Sequence, residues 1–578
     1  MIELLLWAAI AIPFATSLGL TLVPLSREHT VARVALGSTA LSALASAIAI
    51  AAWLVQLGDP IRTTPHIPFA HATYHFTLTL LLDGAAAVFL ALVQFITGMV
   101  VRFSRFYLHR EPGFRRFFAT VLLFQGAMCL LALAGNIDLM FAAWELVGIS
   151  SFLLIAFYRE RQSAVRNALK TYSVYRIADI GMLLAACLEG AGERSGYLIG
   201  LLLLLAAMGK SAQFPFSFWV ARAMEGPTPS SALFYGALSV HAGAYLLLRS
   251  FPLFADILTV RICVGMVGVV TAVLCSMFSS VQPTIKGQIG YASVAQVGII
   301  FVEIALGLPH LALLHIVTNA LVRCYQLLVS PSVVAHRLRR QATAGAARAG
   351  AIRSLQARFV PESWWPTLYV FALSEGYLKD IPKRGLWFPL RRLGSVLALR
   401  PALVVIAGAV VALAELAYAP GPVPAALLVI AAIAFSACAL SSWRTPARAV
   451  LWIAGSSLLA MLASIVVAGS DARVTMVLYG GGIAVACLLG YLGSPDGATA
   501  RFAGLWERRP TAALIAFTGA LGLAGAPVWP TFWGEDLIVH TALGGHRAVA
   551  VAVAAILAAN GYLAVRNFAY AFMGRAPV

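Results

Sequence analysis

Residues 201–220, LLLLLAAMGKSAQFPFSFWV, decide what kind of fold the chain can form. The stretch is apolar enough to lie inside a lipid bilayer, yet it contains Lys210 and, five residues later, Pro215. A charged side chain at the centre of a bilayer costs about 2.5 to 3.5 kcal/mol, so Lys210 is a candidate functional residue. Proline removes a backbone hydrogen-bond donor and breaks helices. We therefore predict a membrane helix that breaks near Pro215 and holds Lys210 against other helices or a hydrated cavity.

The composition of the whole chain agrees with this local interpretation. Of the 578 residues, 61% are apolar and 11% are charged, and the mean hydropathy is +0.87. A soluble domain carries about 25% charged residues, so the composition excludes a soluble globular protein. A helix needs roughly 20 apolar residues to cross a bilayer. The apolar runs therefore predict an all-α polytopic membrane protein with about 15 to 17 transmembrane helices.

The basic residues indicate the orientation of the chain. The net charge of +18 is carried largely by short loops between apolar runs, so it indicates topology and not nucleic-acid binding. Cytoplasmic loops of membrane proteins are rich in lysine and arginine. We expect a bacterial cytoplasmic (inner) membrane protein with its N-terminus outside and residues 336–400 in the cytoplasm.

One long basic interval separates two groups of apolar runs. Residues 336–400 hold twelve lysines or arginines against three acids, with tryptophans and prolines interleaved. The interval is either an interfacial linker whose arginines face anionic headgroups or a docking surface for a soluble subunit. The composition favours neither interpretation.

A few ionisable residues lie inside the apolar runs. Glu145 and Lys210 have no opposite charge three or four residues away, so each must find a partner on another helix or line a hydrated cavity. Buried lysines and carboxyls can exchange protons at working pH, so these two residues are candidates for proton transfer. Arg176 and Asp179 are three residues apart on one helix face and form either a structural ion pair or part of a proton relay.

Other polar residues in the apolar runs are weaker candidates. His241 and His315 are single histidines on apolar helices and are expected to pack rather than react. Pro530 precedes Glu535 in WPTFWGEDLI and predicts a second broken helix. The seven cysteines form no metal-ligand pattern, and the histidines of residues 66–75 are too irregularly spaced for a metal site, so no metal is expected.

Several blocks of sequence resemble the proton-translocating antiporter-like subunits of respiratory complex I and the Mrp cation/proton antiporters. The blocks are WELVGISSFLLIAFY at 144–158, RIADIG at 176–181, GKSAQFPFSFWVARAMEGPTPSSAL at 209–233 and QPTIKGQIGYASVAQVG at 282–298. The resemblance runs from about residue 80 to 330 and returns at 520–575.

The resemblance implies two inverted five-helix repeats with broken helices and an inserted helical segment. It implies proton transfer by Glu145, Lys210, His241, His315 and Glu535. Arg323 stands where the family usually has a lysine, and arginine does not deprotonate in proteins, so its role would be electrostatic. Tyr235 and Asn319 replace family histidines, which puts the second half-channel in question.

With the resemblance, the chain divides into five parts. The expected parts are N-terminal helices (1–78), an antiporter-like core (79–330), a basic linker (331–400), inserted transmembrane helices (401–500) and closing helices of the second half (501–578).

The sequence shows no dinucleotide loop, no phosphate-binding loop and no cluster-binding cysteines, so we expect no redox or ATP chemistry and no cofactor in this chain. The preferred hypothesis is the membrane subunit of an inorganic-carbon (CO2/bicarbonate) uptake complex similar to DabB, with a DabA-like soluble partner that carries zinc. The alternative is an antiporter-like subunit of a complex I or membrane-hydrogenase assembly. A structural membrane anchor with an inactive second channel is a third hypothesis.

Overall fold

The computed structural model describes residues 1–578 except 57, 72–73, 193–194, 331–361, 418–420, 470–472, 496–501 and 576–578. Most of the described chain is helical, because a backbone inside lipid must satisfy its own hydrogen bonds. Fourteen of the described helices are long and apolar enough to cross a membrane, which confirms the predicted all-α polytopic class. Arg337 to Arg358, the most basic part of the predicted linker, lie outside the described residues.

The first part of the chain contains thirteen helices and two short strand pairs, β1 with β4 and β2 with β3, which lie between α2 and α3. The elements are α1 (Ile2–Leu20), α2 (Glu28–Val55), β1 (Ile61–Arg62), β2 (His66–His71), β3 (Tyr74–Leu78), β4 (Leu81–Leu82), α3 (Gly84–Tyr107), α4 (Phe114–Leu133), α5 (Ile137–Ile155), α6 (Gln162–Gly190), α7 (Gly196–Lys210), α8 (Val220–Ala223), α9 (Thr228–Ser231), α10 (Ala242–Phe254), α11 (Leu258–Val281), α12 (Ile285–Ala305) and α13 (Pro309–Val329).

The second part begins with short helices and continues with longer apolar ones. Its helices are α14 (Trp365–Leu373), α15 (Asp380–Pro382), α16 (Phe388–Leu397), α17 (Pro401–Ala417), α18 (Pro422–Ser441), α19 (Pro446–Ala468), α20 (Arg473–Thr475), α21 (Gly481–Gly493), α22 (Pro510–Leu523), α23 (Pro530–Gly545) and α24 (Arg547–Phe572).

Two helices are interrupted where the sequence predicts breaks. Helix α7 ends at Lys210, and the chain resumes as a 3-10 turn at Ser217–Trp219 followed by α8. The indole N–H of Trp219 donates to the carbonyl of Gly209 at 3.1 Å, which satisfies a backbone group freed by the break. At the second break, α22 ends at Leu523 and α23 begins at Pro530. There the hydroxyl of Thr531 donates to the carbonyl of Gly522 at 2.8 Å.

Buried polar side chains join neighbouring helices at both ends of the chain. Gln94 on α3 donates to Ser42 and Ser46 on α2, at 2.8 and 2.9 Å. Asn560 on α24 donates to Ser456 and Ser457 on α19, at 3.1 and 3.0 Å. Hydrogen bonds of this kind fix the register of apolar helices, which lipid alone does not drive together.

The helices differ in how much of their surface other helices cover. The span Thr228–Phe254 comprises α9, α10 and the turns between them, and its most apolar 18-residue window is wholly buried. In the span Leu258–Val281 only 28% of such a window is buried. The first span therefore lies in the interior of the bundle, and α11 presents most of its apolar surface outward. Helix α24 packs against α6 as well as against α19, so the closing helices lie beside the first half of the chain.

Candidate functional site

Lys210 lies at the point where α7 breaks, and its side chain is enclosed by aromatic rings. The residue is 1% exposed. Its Nζ donates to the backbone carbonyl of Trp144 on α5 at 2.8 Å. The same nitrogen lies 4.9 Å from the centre of the Trp144 ring and 4.5 Å from that of Tyr175. Cation–π contacts and one carbonyl hold the ammonium without a fixed carboxylate partner among the described residues.

Arg176 on α6 joins three buried carboxylates that come from three helices. Its guanidinium lies 2.6 Å from Glu145 on α5, 3.9 Å from Asp179 on its own helix and 3.9 Å from Glu535 on α23. The side chains of these residues are between 3% and 6% exposed. The predicted Arg176–Asp179 contact is present, but Glu145 is the much closer partner.

Trp144 connects Lys210 to this carboxylate cluster, which comprises Glu145, Asp179 and Glu535 around Arg176. The indole N–H of Trp144 donates to Asp179 at 2.9 Å, while the backbone carbonyl of Trp144 accepts from Lys210. One residue therefore bridges the ammonium and a carboxylate. Sequence reasoning quoted Trp144 only as part of a motif and gave it no role.

Two glycines allow the closing helices to approach the cluster. A Cβ on Gly561 would lie 3.0 Å from the guanidinium of Arg176, and a Cβ on Gly525 would lie 2.4 Å from the carboxylate of Glu535. Gly525 also has a φ of +65°, a conformation that favours glycine. The close packing of backbone against charged groups leaves little space for bulk water at these two points.

The residues predicted for the second half lie in two other groups. His241 is fully buried, and its two ring nitrogens contact the carbonyl of Ala237 and the side-chain amide of Asn319. Asn319 also accepts from Arg323 at 3.2 Å, so Asn319 joins the arginine to the histidine. His315 is separate, because its ring contacts Glu303 at 2.9 Å and Gln296 at 3.0 Å.

The structure thus divides the predicted site residues. It brings together Glu145, Arg176, Asp179 and Glu535, with Lys210 beside them, and it places His241, His315 and Arg323 elsewhere. No carboxylate within 4.0 Å of Arg323 occurs among the described ion pairs. Among the described residues, no group of three histidine, cysteine or acidic side chains could hold a metal ion.

Comparison with known proteins covers most of the first of these groups and all of the second. Residues 134–189 and 189–350 match the family described as NADH:quinone oxidoreductase/Mrp antiporter, and residues 69–118 match the N-terminal region of complex I chain 5. The matched ranges make up less than half of the chain, and over them the chain is similar to this antiporter-like subunit family. Of the predicted site residues, Glu535 is the proton-transfer candidate that lies outside the matched ranges.

Individual relatives show how far the similarity extends. The chain is 36% identical over 277 residues to NADH-ubiquinone oxidoreductase chain 5 of Pseudosoriculus fumidus, and 36% identical over 278 residues to that of Dugong dugon. These alignments cover 45% of this chain and 45% or 46% of each relative, so the chain spans about half the length of the curated relatives it matches. The Mrp complex from Dietzia sp. DQ12-45-1b has the same fold, with a TM-score of 0.51 at 19% identity over 90% of this chain and 75% of that one.

Proposed function

We propose that the chain is a proton-translocating membrane subunit in which Lys210 and the carboxylate cluster exchange protons. The observation that carries the proposal is the balance of charge in the buried site. Three carboxylates surround Arg176, and a second cation, Lys210, lies beside them and is joined to Asp179 through Trp144.

With all five groups ionised, the site would hold one uncompensated negative charge. An uncompensated charge in a low-dielectric interior is costly, and an ionisable group avoids the cost by changing its protonation state. One added proton balances the charges, and any of the three carboxylates can hold it. A site of this kind accepts and releases a proton between neighbouring groups, which is the step that proton transport requires.

Lys210 supplies a second position for a proton. Arginine stays protonated in proteins, whereas lysine can deprotonate when it is buried. Lys210 lies at a helix break, and transporters form ion sites where broken helices expose backbone groups at mid-depth. The match to a family described by its antiporter activity supports the same function.

We expect Glu535→Gln to stop proton transport while leaving the protein folded. The substitution removes the excess carboxylate, so two carboxylates balance two cations and no proton needs to be shared. Transport would be measured as acidification of vesicles that contain the intact protein with its partners, and stability as the midpoint of thermal unfolding. Glu189→Gln is the control, because it removes an exposed carboxylate at the end of α6. Normal transport by Glu535→Gln would reject the proposed role of the cluster, and an unfolded variant would show that Glu535 is structural.

We further propose that the subunit takes part in inorganic-carbon uptake and that its partner is a DabA-like soluble zinc subunit. The supporting observation is the exposed basic surface on residues 383–392. Lys383, Arg384, Arg391 and Arg392 are all exposed there. An exposed row of cations suits an acidic soluble protein or an anionic membrane surface. The loss of family histidines at Tyr235 and Asn319 favours a subunit that has diverged from the respiratory assemblies.

Purification of the tagged protein with its partners tests this finer proposal. We expect a zinc-containing soluble protein to copurify, and we expect reversal of the four charges at residues 383–392 to release it without loss of the membrane subunit. Copurification of flavin and iron–sulfur subunits would instead support a complex I or hydrogenase assembly. Unchanged copurification after the charge reversal would mean that the basic surface is not the docking site.

A further inference from the structure

The basic linker between α13 and α17, called the inserted segment from here on, contains a buried acid, Glu375, that lies beside the broken helix. Glu375 is 6% exposed, although most of its neighbours in the segment are exposed. Its carboxylate lies 2.6 Å from the guanidinium of Arg222 on α8, the short helix that follows the break at Lys210. The side chains of this ion pair are 18% exposed for Arg222 and 8% exposed for Glu375.

The backbone around Glu375 has an unusual conformation. Glu375, Gly376 and Tyr377 have φ values of +56°, +62° and +56° in succession. Left-handed conformations are costly for residues with a Cβ, and they persist where surrounding contacts impose them. The ion pair with Arg222 is one such contact. Phe371 of the same segment packs against Phe278 of α11, with ring centres 6.4 Å apart.

A continuous series of contacts leads from Glu375 to Lys210. Arg222, besides pairing with Glu375, donates a hydrogen bond to the carbonyl of Phe218 in the 3-10 turn. Trp219, the next residue, donates to the carbonyl of Gly209 and packs edge-to-face on Tyr175 at 5.2 Å. The ring of Tyr175 is one of the two that hold the Lys210 ammonium.

We propose that Glu375 is a positioning residue for Lys210. Through Arg222 it fixes the turn that carries Trp219, and Trp219 in turn fixes both the end of α7 and the ring of Tyr175. The inserted segment therefore acts on proton transfer from outside the antiporter core. This inference rests on the proposed function of Lys210 and adds a residue that the family match does not cover.

Positioning of Lys210 matters because proton transfer is sensitive to the distance between donor and acceptor. Proton transfer needs donor and acceptor within hydrogen-bond reach, and small displacements of a positioned group lower rates strongly. If the turn at 217–219 is released, the ammonium loses the orientation imposed by Tyr175. No described hydrogen bond or ion pair joins Glu375 to Lys210, and of the residues that Glu375 contacts, Arg222 is the one that leads to the broken helix.

The test is the transport rate of the full chain in its native assembly, normalised to the amount of folded protein. We expect Glu375→Gln, which keeps the shape and removes the charge, to lower the rate about tenfold. We expect Arg222→Gln to lower the rate as well, and the double variant Arg222→Gln with Glu375→Gln to lower it no further than Arg222→Gln alone, because Glu375 acts through Arg222. A wild-type rate for Glu375→Gln, or a further loss in the double variant, would overturn the inference.

Two controls separate positioning from general stability. Asp380→Asn removes the same charge from the same segment, and Phe371→Ala removes packing without removing the ion pair. Both are expected to transport at close to the wild-type rate per folded molecule, and Phe371→Ala is expected to unfold at a lower temperature. A loss of rate in Phe371→Ala as large as that in Glu375→Gln would overturn the positioning role.

Two further comparisons keep the result interpretable. If Glu375→Gln does not accumulate, Glu375→Asp retains the charge on a shorter side chain, and a reduced rate for this variant supports the inference while a wild-type rate overturns it. The failure of this inference is distinguishable from failure of the proposed function. An inactive Lys210→Met beside a fully active Glu375→Gln rejects only the inference, and two active variants reject the proposed function as well.

Discussion

Replacing Lys210 with methionine is expected to abolish proton transport and to leave the protein folded and inserted in the membrane. Methionine fills a similar volume and can pack between the rings of Trp144 and Tyr175, so the interior stays occupied. It has no exchangeable proton, so the path from the broken helix to the carboxylate cluster is interrupted. Loss of a general acid or base lowers rates by about 10² to 10⁴, and the measurement is the initial rate of vesicle acidification.

Two variants show whether the charge or the exchangeable proton of Lys210 matters. Lys210→Arg keeps the positive charge but does not deprotonate, so we expect it to be as inactive as Lys210→Met. Lys170→Met removes an exposed lysine from α6 and should transport normally. A wild-type rate for Lys210→Arg would show that a fixed cation is sufficient. The proposal that Lys210 exchanges a proton would then be wrong.

Replacing Arg176 with methionine is expected to destabilise the protein more than any other single change in the site. Glu145, Asp179 and Glu535 would lose their shared cation while remaining buried. Removing one partner of a buried ion pair costs about 3 to 5 kcal/mol, because the remaining charge is left uncompensated. The measurement is the midpoint of thermal or denaturant unfolding of the purified protein, together with its yield in membranes.

The control for Arg176 is a less buried ion pair elsewhere in the first half of the chain. Arg249 pairs with Asp83, and their side chains are 13% and 25% exposed. Arg249→Met is expected to cost about 1 kcal/mol, in the range of exposed pairs. The double variant Arg176→Met with Glu145→Gln should regain part of the lost stability but no transport. An unchanged unfolding midpoint for Arg176→Met would contradict the assignment of Arg176 as the shared cation.

The role of the inserted segment could not be predicted from its sequence. Its composition left an interfacial linker and a docking surface equally open, because both need exposed cations. The structure adds a third feature, since Glu375 turns inward and pairs with Arg222. Nothing in the local sequence distinguishes Glu375 from the other acids of the segment, because its burial depends on α8 and α11.

The partners of Glu535 and Arg323 could not be predicted from the sequence either. The expected division of the chain places Glu535 in the closing helices of the second half and names no partner for it. In the structure its carboxylate lies 3.9 Å from Arg176 of the first half. Arg323 contacts Asn319, Gln326 and the carbonyl of Ala292. Its role in transport stays a prediction.

The sequence by itself determined the helical membrane class, the breaks near Pro215 and Pro530, and the candidacy of Glu145 and Lys210. These features are local, because hydropathy, a missing backbone donor and the cost of a buried charge act on each segment separately. Only the tertiary structure decided that Arg176 joins carboxylates from three helices and that Trp144 links them to Lys210. Such contacts depend on how distant helices pack, and the close approach at Gly525 and Gly561 that permits them is visible only once those helices are side by side.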